Sequence, residues 1–81
     1  MSTTLISKTP GQSRYGKLAL ALRDRILQGE WAPGDVIPAE SALAQSYGVA
    51  LGTIRQALAL LVEDGVLQRR HGKGTFVTKG V

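Results

Sequence analysis

From Val36 to Val77 the chain passes through two short helical patterns joined at Gly48-Val49. It then enters a Gly-rich hairpin pattern, Val66-Leu-Gln-Arg-Arg-His-Gly-Lys-Gly-Thr-Phe-Val77. The order of these parts constrains the fold more than any single residue does. With 81 residues the chain has room for one domain at most, and it holds no cysteine, so neither disulfides nor thiolate metal sites can supplement the core. Packing must hold it together, which 43% hydrophobic residues make feasible.

Residues 1–12 are polar, broken by Pro10-Gly11, and read as a flexible tail. Ser13 suits an N-cap. Tyr15, Leu18, Ala19, Leu22 and Ile26 then recur at helical spacing until Gly29, which predicts a helix over about Arg14 to Gln28, with Leu20 and Leu27 off its apolar stripe. Glu30 to Pro38 reads as a connection around a Pro33-Gly34 turn, with Trp31 available to cover the core edge. A second helix is expected over about Ala39 to Tyr47. Pro38 suits its entrance, Glu40 complements its positive end, Leu43, Ala44 and Tyr47 face inward, and Gly48 stops it. Ala39 offers no capping side chain.

A third helix is expected over about Leu51 to Asp64, stopped by Gly65. Its buried stripe is Ile54, Ala57, Leu58 and Leu61, with Val49 ahead of it in the turn. That stripe forces Gly52, Thr53, Arg55, Gln56 and Ala59 outward. Val66 to Arg70 and Thr75 to Val77 then read as strands around a turn at His71-Gly72-Lys73-Gly74. Val66 and Phe76 are expected to pack on the helices, while Arg69, Arg70 and Lys73 project outward. The fold class is mainly α with a small β-hairpin (α+β): a winged helix-turn-helix of three helices and a two-stranded wing, over residues 13–78, with 79–81 as a short terminal piece.

Net charge is +4 and the pI about 10.0, a balance that favours an anionic partner. Residues 1–35 and 36–81 each hold five basic and three acidic side chains, so the charge is not divided between halves. From Val66 to Val81, however, Arg69, Arg70, Lys73 and Lys79 stand without an acidic residue in the segment. Such a cluster is either a solvated edge or an anion-binding surface, and a small polar helix face is either ordinary solvent face or a face that enters a groove. A short helix, a tight turn and a second helix with that outer face form the unit that lays its second helix into duplex DNA.

Other chemistries fit less well. Gly72-Lys73-Gly74-Thr75 suggests a phosphate loop, but the position five before Gly72 is Leu67, and the segment leads into a strand pattern rather than a helix. His71 is the single histidine, so neither a metal nor another cofactor is expected. No nucleophile–base pair can be argued, so no catalysis is expected. Tyr15, Trp31, Tyr47 and Phe76 look structural rather than a stacking platform for RNA. The alternative to DNA binding is a winged-helix protein–protein adaptor with weak non-specific DNA binding, using Leu20 and Leu27 as contact surface. Apolar runs such as Leu18 to Leu22 and Leu58 to Val62, far too short to span a bilayer, and an N-terminus without a leader pattern, make a cytoplasmic protein without a membrane partner the expectation.

Taken together, Ala21-Leu-Arg-x-x-Ile26, Gly29, Pro33-Gly-Asp35, Ile37-Pro-Ala-Glu40, Leu43-Ala44, Tyr47-Gly-Val49, Thr53-Ile-Arg55, Ala57-Leu58, Leu61, Asp64-Gly65 and His71-Gly-x-Gly-Thr-Phe-Val77 closely resemble the N-terminal DNA-binding domain of the GntR family of bacterial transcription regulators. The resemblance covers about Arg14 to Val77. It implies sequence-specific binding of double-stranded DNA, with the third helix in the major groove and the wing at the minor groove. It also implies a homodimer in the full-length protein, and a small-molecule effector that binds only through a C-terminal domain beyond this chain.

By position, Thr53 and Arg55 would meet phosphates or base edges, with Gly52 and Gln56 on the same face. His71 and Gly72 would enter the minor groove, with Arg69, Arg70 and Lys73 on the flanking phosphates. Three positions depart from the family pattern: Ser41 replaces a frequent arginine or asparagine, Ala50 a frequent serine or threonine, and Leu51 a frequent arginine. All three belong to the expected DNA surface and point to an altered operator. Leu51 can face the groove, where it would offer apolar contact to a thymine methyl, or it can be a core residue at the helix start. A repressor is the entertained mode, though the residues leave operator, effector and sign of regulation open.

Overall fold

The computed structural model describes residues 13–79; the expected tail at 1–12 and the residues 80–81 lie outside the described part. Within the described part, three helices come first: α1 (Arg14–Leu27), α2 (Glu40–Tyr47) and α3 (Leu51–Glu63). The strands β1 (Leu67–Arg70) and β2 (Gly74–Val77) follow as an antiparallel pair. This is the winged helix-turn-helix arrangement that the spacing predicts. Ser13 caps α1 as expected, its Oγ accepting the Gly16 N–H at 2.9 Å, which satisfies a backbone donor the helix itself cannot. Neither α2 nor α3 has such a bond, because Ala39 and Ala50 occupy their N-caps.

α3 is the central element, packed against α1, α2 and β1. Its stripe of Ile54, Ala57, Leu58 and Leu61 is 0–1% exposed. Leu18 and Leu22 of α1 and Leu43 of α2 close over it, with Tyr15, Ile26, Trp31, Tyr47, Val49 and Val66 half-buried at the margin. Burying a side chain of this kind contributes about 1.5–3 kcal/mol each, which explains why a chain without staples can settle on one packing.

The structure departs from the sequence expectation at three points. Phe76 is not the hairpin's core anchor; Leu67 and Val77 are, at 2% and 5% exposure. They are paired in register, so both point inward, and the alternation of a strand turns Phe76 to the opposite face. Second, the segment before α2 is more than a connection. Gly34 N–H donates to the Val77 carbonyl, Val77 N–H to Asp35, and Ile37 N–H to Thr75, at 2.8–2.9 Å, while Val36 bridges Phe76. The segment therefore lies along β2 as a short extra edge and delivers Ile37 to the core, 5% exposed. Third, Gly74 belongs to β2, opposite Arg70, and the turn shortens to His71–Lys73, closed by Lys73 N–H donating to the Arg70 carbonyl at 2.9 Å.

Candidate nucleic-acid interface

With Ile54 fully inward, Leu51, Gly52, Arg55, Gln56 and Ala59 are exposed and Thr53 is half-exposed, as the helical period requires. Leu51 is 38% exposed and does not belong to the core, which removes the core alternative for this residue. Ala50 holds an extended backbone (φ −68°, ψ 151°) ahead of it, also exposed. The start of α3 therefore presents two small residues and a leucine, unobstructed by any capping side chain. Ser41 is exposed in the first turn of α2, one residue beyond Glu40.

On the wing, His71, Gly72 and Lys73 form the exposed tip. Gly72 has φ +74°, a region that side chains with a Cβ rarely adopt. Gly74 is constrained twice: φ is +120°, and a Cβ there would stand 3.2 Å from Val36 Cγ2. The wing thus keeps its shape by resting on the extra edge. Arg70 lies over the Phe76 ring, 4.9 Å from its centroid, so the displaced phenylalanine serves as a platform for an exposed cation.

The positive field of the wing is not uncompensated, contrary to the reading of its segment alone. Glu40 Oε1 accepts from Arg55 Nε at 3.0 Å, and its Oε2 lies 3.5 Å from Arg69 Nη1. Two of the expected DNA-contacting cations therefore share one carboxylate, while no ion pair is found for Arg70 or Lys73 among the described residues. Exposed pairs of this kind contribute about 0–1 kcal/mol to stability, so their consequence is geometric. They join the outer face of α3 to the base of the wing. Nothing in the spacing signals this meeting, since Glu40 and Arg55 lie 15 residues apart.

A second arginine cluster went unread in the sequence. Arg25 Nε donates to Glu30 Oε1 at 2.8 Å and its Nη1 to the Tyr47 hydroxyl at 2.6 Å, while the guanidinium lies 4.8 Å from the Trp31 ring centroid. The Glu30 hydrogen bond first, and the Tyr47 one second, hold Arg25 more firmly protonated than an ordinary guanidinium. The Arg25 hydrogen bond in turn holds the Glu30 carboxyl below its ordinary range. This cluster ties the end of α1 to the end of α2.

The profile of the family described as "Bacterial regulatory proteins, gntR family" matches residues 14–77. The chain belongs to this family. Among GntR-family relatives, the Escherichia coli (strain K12) "Mannosyl-D-glycerate transport/metabolism system repressor MngR" is 46% identical over 63 residues, 78% of this chain and 26% of that protein. The "HTH-type transcriptional repressor NagR" of Bacillus subtilis (strain 168) is 40% identical over 65 residues, covering 80% of this chain and 27% of its own length. The chain therefore spans about a quarter of the length of these curated relatives.

Among solved structures, "AraR(DBD) in complex with operator ORE1" superposes with a TM-score of 0.77 at 38% identity, covering 82% of this chain and 80% of that one. A "GntR family transcriptional regulator from Listeria monocytogenes" gives 0.80 at 25% identity, covering 84% and 60%. Within the GntR pattern, the departures at Ser41, Ala50 and Leu51 all fall on exposed positions. They leave the packing of the family fold untouched.

Proposed function

We propose that this chain is the DNA-reading module of a bacterial transcription regulator, binding double-stranded DNA with α3 in the major groove and the wing at the minor groove. The observation that carries this reading is the convergence, through Glu40, of the exposed face of α3 and the basic wing into one surface. Leu51, Gly52, Thr53, Arg55 and Gln56 would meet bases and phosphates, with Ser41 and Ala50 at the rim. Arg69, Arg70 and Lys73 would hold phosphates beside His71 and Gly72. The likeness to domains crystallised with operator DNA supports the same assignment.

The proposal extends to the whole protein. Residues 13–78 form its binding module, the regulator acts as a homodimeric repressor in the cytoplasm, and an effector binds a further domain. The naming of the relatives as repressors supports the sign of regulation, and their greater length leaves room for the effector domain. No helix among the described residues is long and apolar enough to cross a membrane.

A salt titration tests the reading. If phosphates supply most of the affinity, log K falls by ~0.9 per phosphate neutralised for each log unit of salt. A flat response, or no duplex binding at low salt, rejects DNA binding in favour of the protein–protein adaptor, for which Leu20 and Leu27, at 54% and 74% exposure, provide the contact surface. His71→Ala probes the wing: unchanged affinity, with minor-groove ligands failing to compete, assigns reading to α3 alone.

A further inference from the structure

The shared carboxylate has a further consequence for recognition. Glu40 opens α2, Arg55 sits on the outer face of α3, and Arg69 lies on β1, so one side chain spans three elements. Its side chain is 28% exposed against 60% and 45% for the arginines, which places the anion behind its two cations. Each oxygen serves one partner. A shift of the wing relative to α3 would break one of the two contacts.

We propose that Glu40 is a positioning residue for DNA recognition, yoking Arg55 to Arg69 so that the wing keeps its place against α3, and lending both cations a counter-charge with which phosphates must compete. The inference rests on the DNA-binding reading above. A scrambled duplex offers this module mostly phosphate contacts, so a built-in competitor for two cations weakens that mode most. A selected site adds base contacts that need helix and wing in register, and these gain from the yoke. Glu40 thus acts against the wrong duplex more than against the right one, which is how specificity arises from a difference of affinities.

The experiment compares the parent, Glu40→Gln and Glu40→Asp on a duplex selected from a random pool and on its scrambled version, across ~50 to ~200 mM salt. Glutamine keeps the shape and removes the charge. Its expected effect is a several-fold rise in scrambled-duplex affinity, a salt slope steeper by ~0.9 to ~1.8 for one or two freed cations, and a lower ratio of selected to scrambled binding. Aspartate keeps the charge but reaches less far toward Arg69, so its slope should fall between those of the parent and the glutamine variant. If the glutamine variant folds poorly, Arg69→Gln in the parent and Glu40→Asp backgrounds carries the test. The loss of scrambled-duplex affinity should be larger in the aspartate background, where the shorter side chain grips Arg69 less.

Parent values of slope and ratio in Glu40→Gln overturn the inference. So do equal losses from Arg69→Gln in both backgrounds. A lost preference confined to one base pair with an unchanged slope overturns it too, because the carboxylate would then read a base itself. No duplex binding by the parent at low salt overturns the DNA-binding reading as well; binding without the glutamine effect removes this inference alone.

Discussion

Among the described residues, two arginine–carboxylate assemblies have opposite character. Around Arg25, one guanidinium is surrounded by Glu30, the Tyr47 hydroxyl and the rings of Trp31 and Tyr47, so a single cation collects several partners. Around Glu40 the ratio is inverted, and one carboxylate is divided between Arg55 and Arg69, both largely exposed. The first arrangement consumes the bonding capacity of its cation and leaves little for an outside anion. The second leaves most guanidinium donors free, since a carboxylate with two oxygens cannot occupy the five N–H groups on each arginine. The same pair of residue types is thus a clamp in one place and an open contact surface in the other. The number of partners per charge decides which.

The core sets the scale for breaking this comparison. Leu58→Ala, at a position 1% exposed, should destabilise the protein by about 2–5 kcal/mol, read from denaturant unfolding. On the open side, Leu51→Arg should leave stability nearly unchanged while tightening duplex binding and shifting base preference toward guanine, with a discrimination of about 1–3 kcal/mol. Unchanged affinity and preference would show that the start of α3 does not meet the groove. On the closed side, Arg25→Ala should cost about 1 kcal/mol through its lost ring contacts, well below Leu58→Ala, with the salt slope of duplex binding unaltered. A slope change there would erase the distinction between clamp and contact surface.

The smallest effect concerns acid. The Arg25 hydrogen bond lowers the Glu30 carboxyl in the folded state, so its contribution is fully present above the ordinary carboxylate value of about 4.3 and is lost as pH falls through the lowered value. The difference in thermal unfolding between the parent and Arg25→Ala should therefore narrow from neutral to strongly acid pH, leaving the part due to the rings. A constant difference would show that rings, not the ion pair, hold Arg25.

The helices were legible in the sequence because their information is local. Leu18, Ala19 and Leu22, and then Ile54, Ala57, Leu58 and Leu61, repeat at the helical period, and glycines mark the ends. The same period turned Gly52, Thr53, Arg55 and Gln56 outward, so much of the helix surface could be named from spacing, whereas Leu51 stayed open between groove and core until its 38% exposure placed it outside. The hairpin was legible as a pair of strands, but not in its facing. One residue of offset separates Phe76 from Val77, and only the pairing of Leu67 with Val77 selects which of them points inward.

The β-branched pair Val36-Ile37 carried a strand signal that a Pro-Gly turn on one side and Pro38 on the other concealed. The arginine partners had no signal at all. Arg25 meets a tyrosine 22 residues away and Arg55 a glutamate 15 residues away. Sequence by itself determined the helices, their buried stripes and the family, since these follow from periodicity and order along the chain. Tertiary structure alone decided which charges are spent and which remain available. Long side chains find their partners only after α2, α3 and the wing have docked, and that docking is set by the whole core rather than by any local pattern.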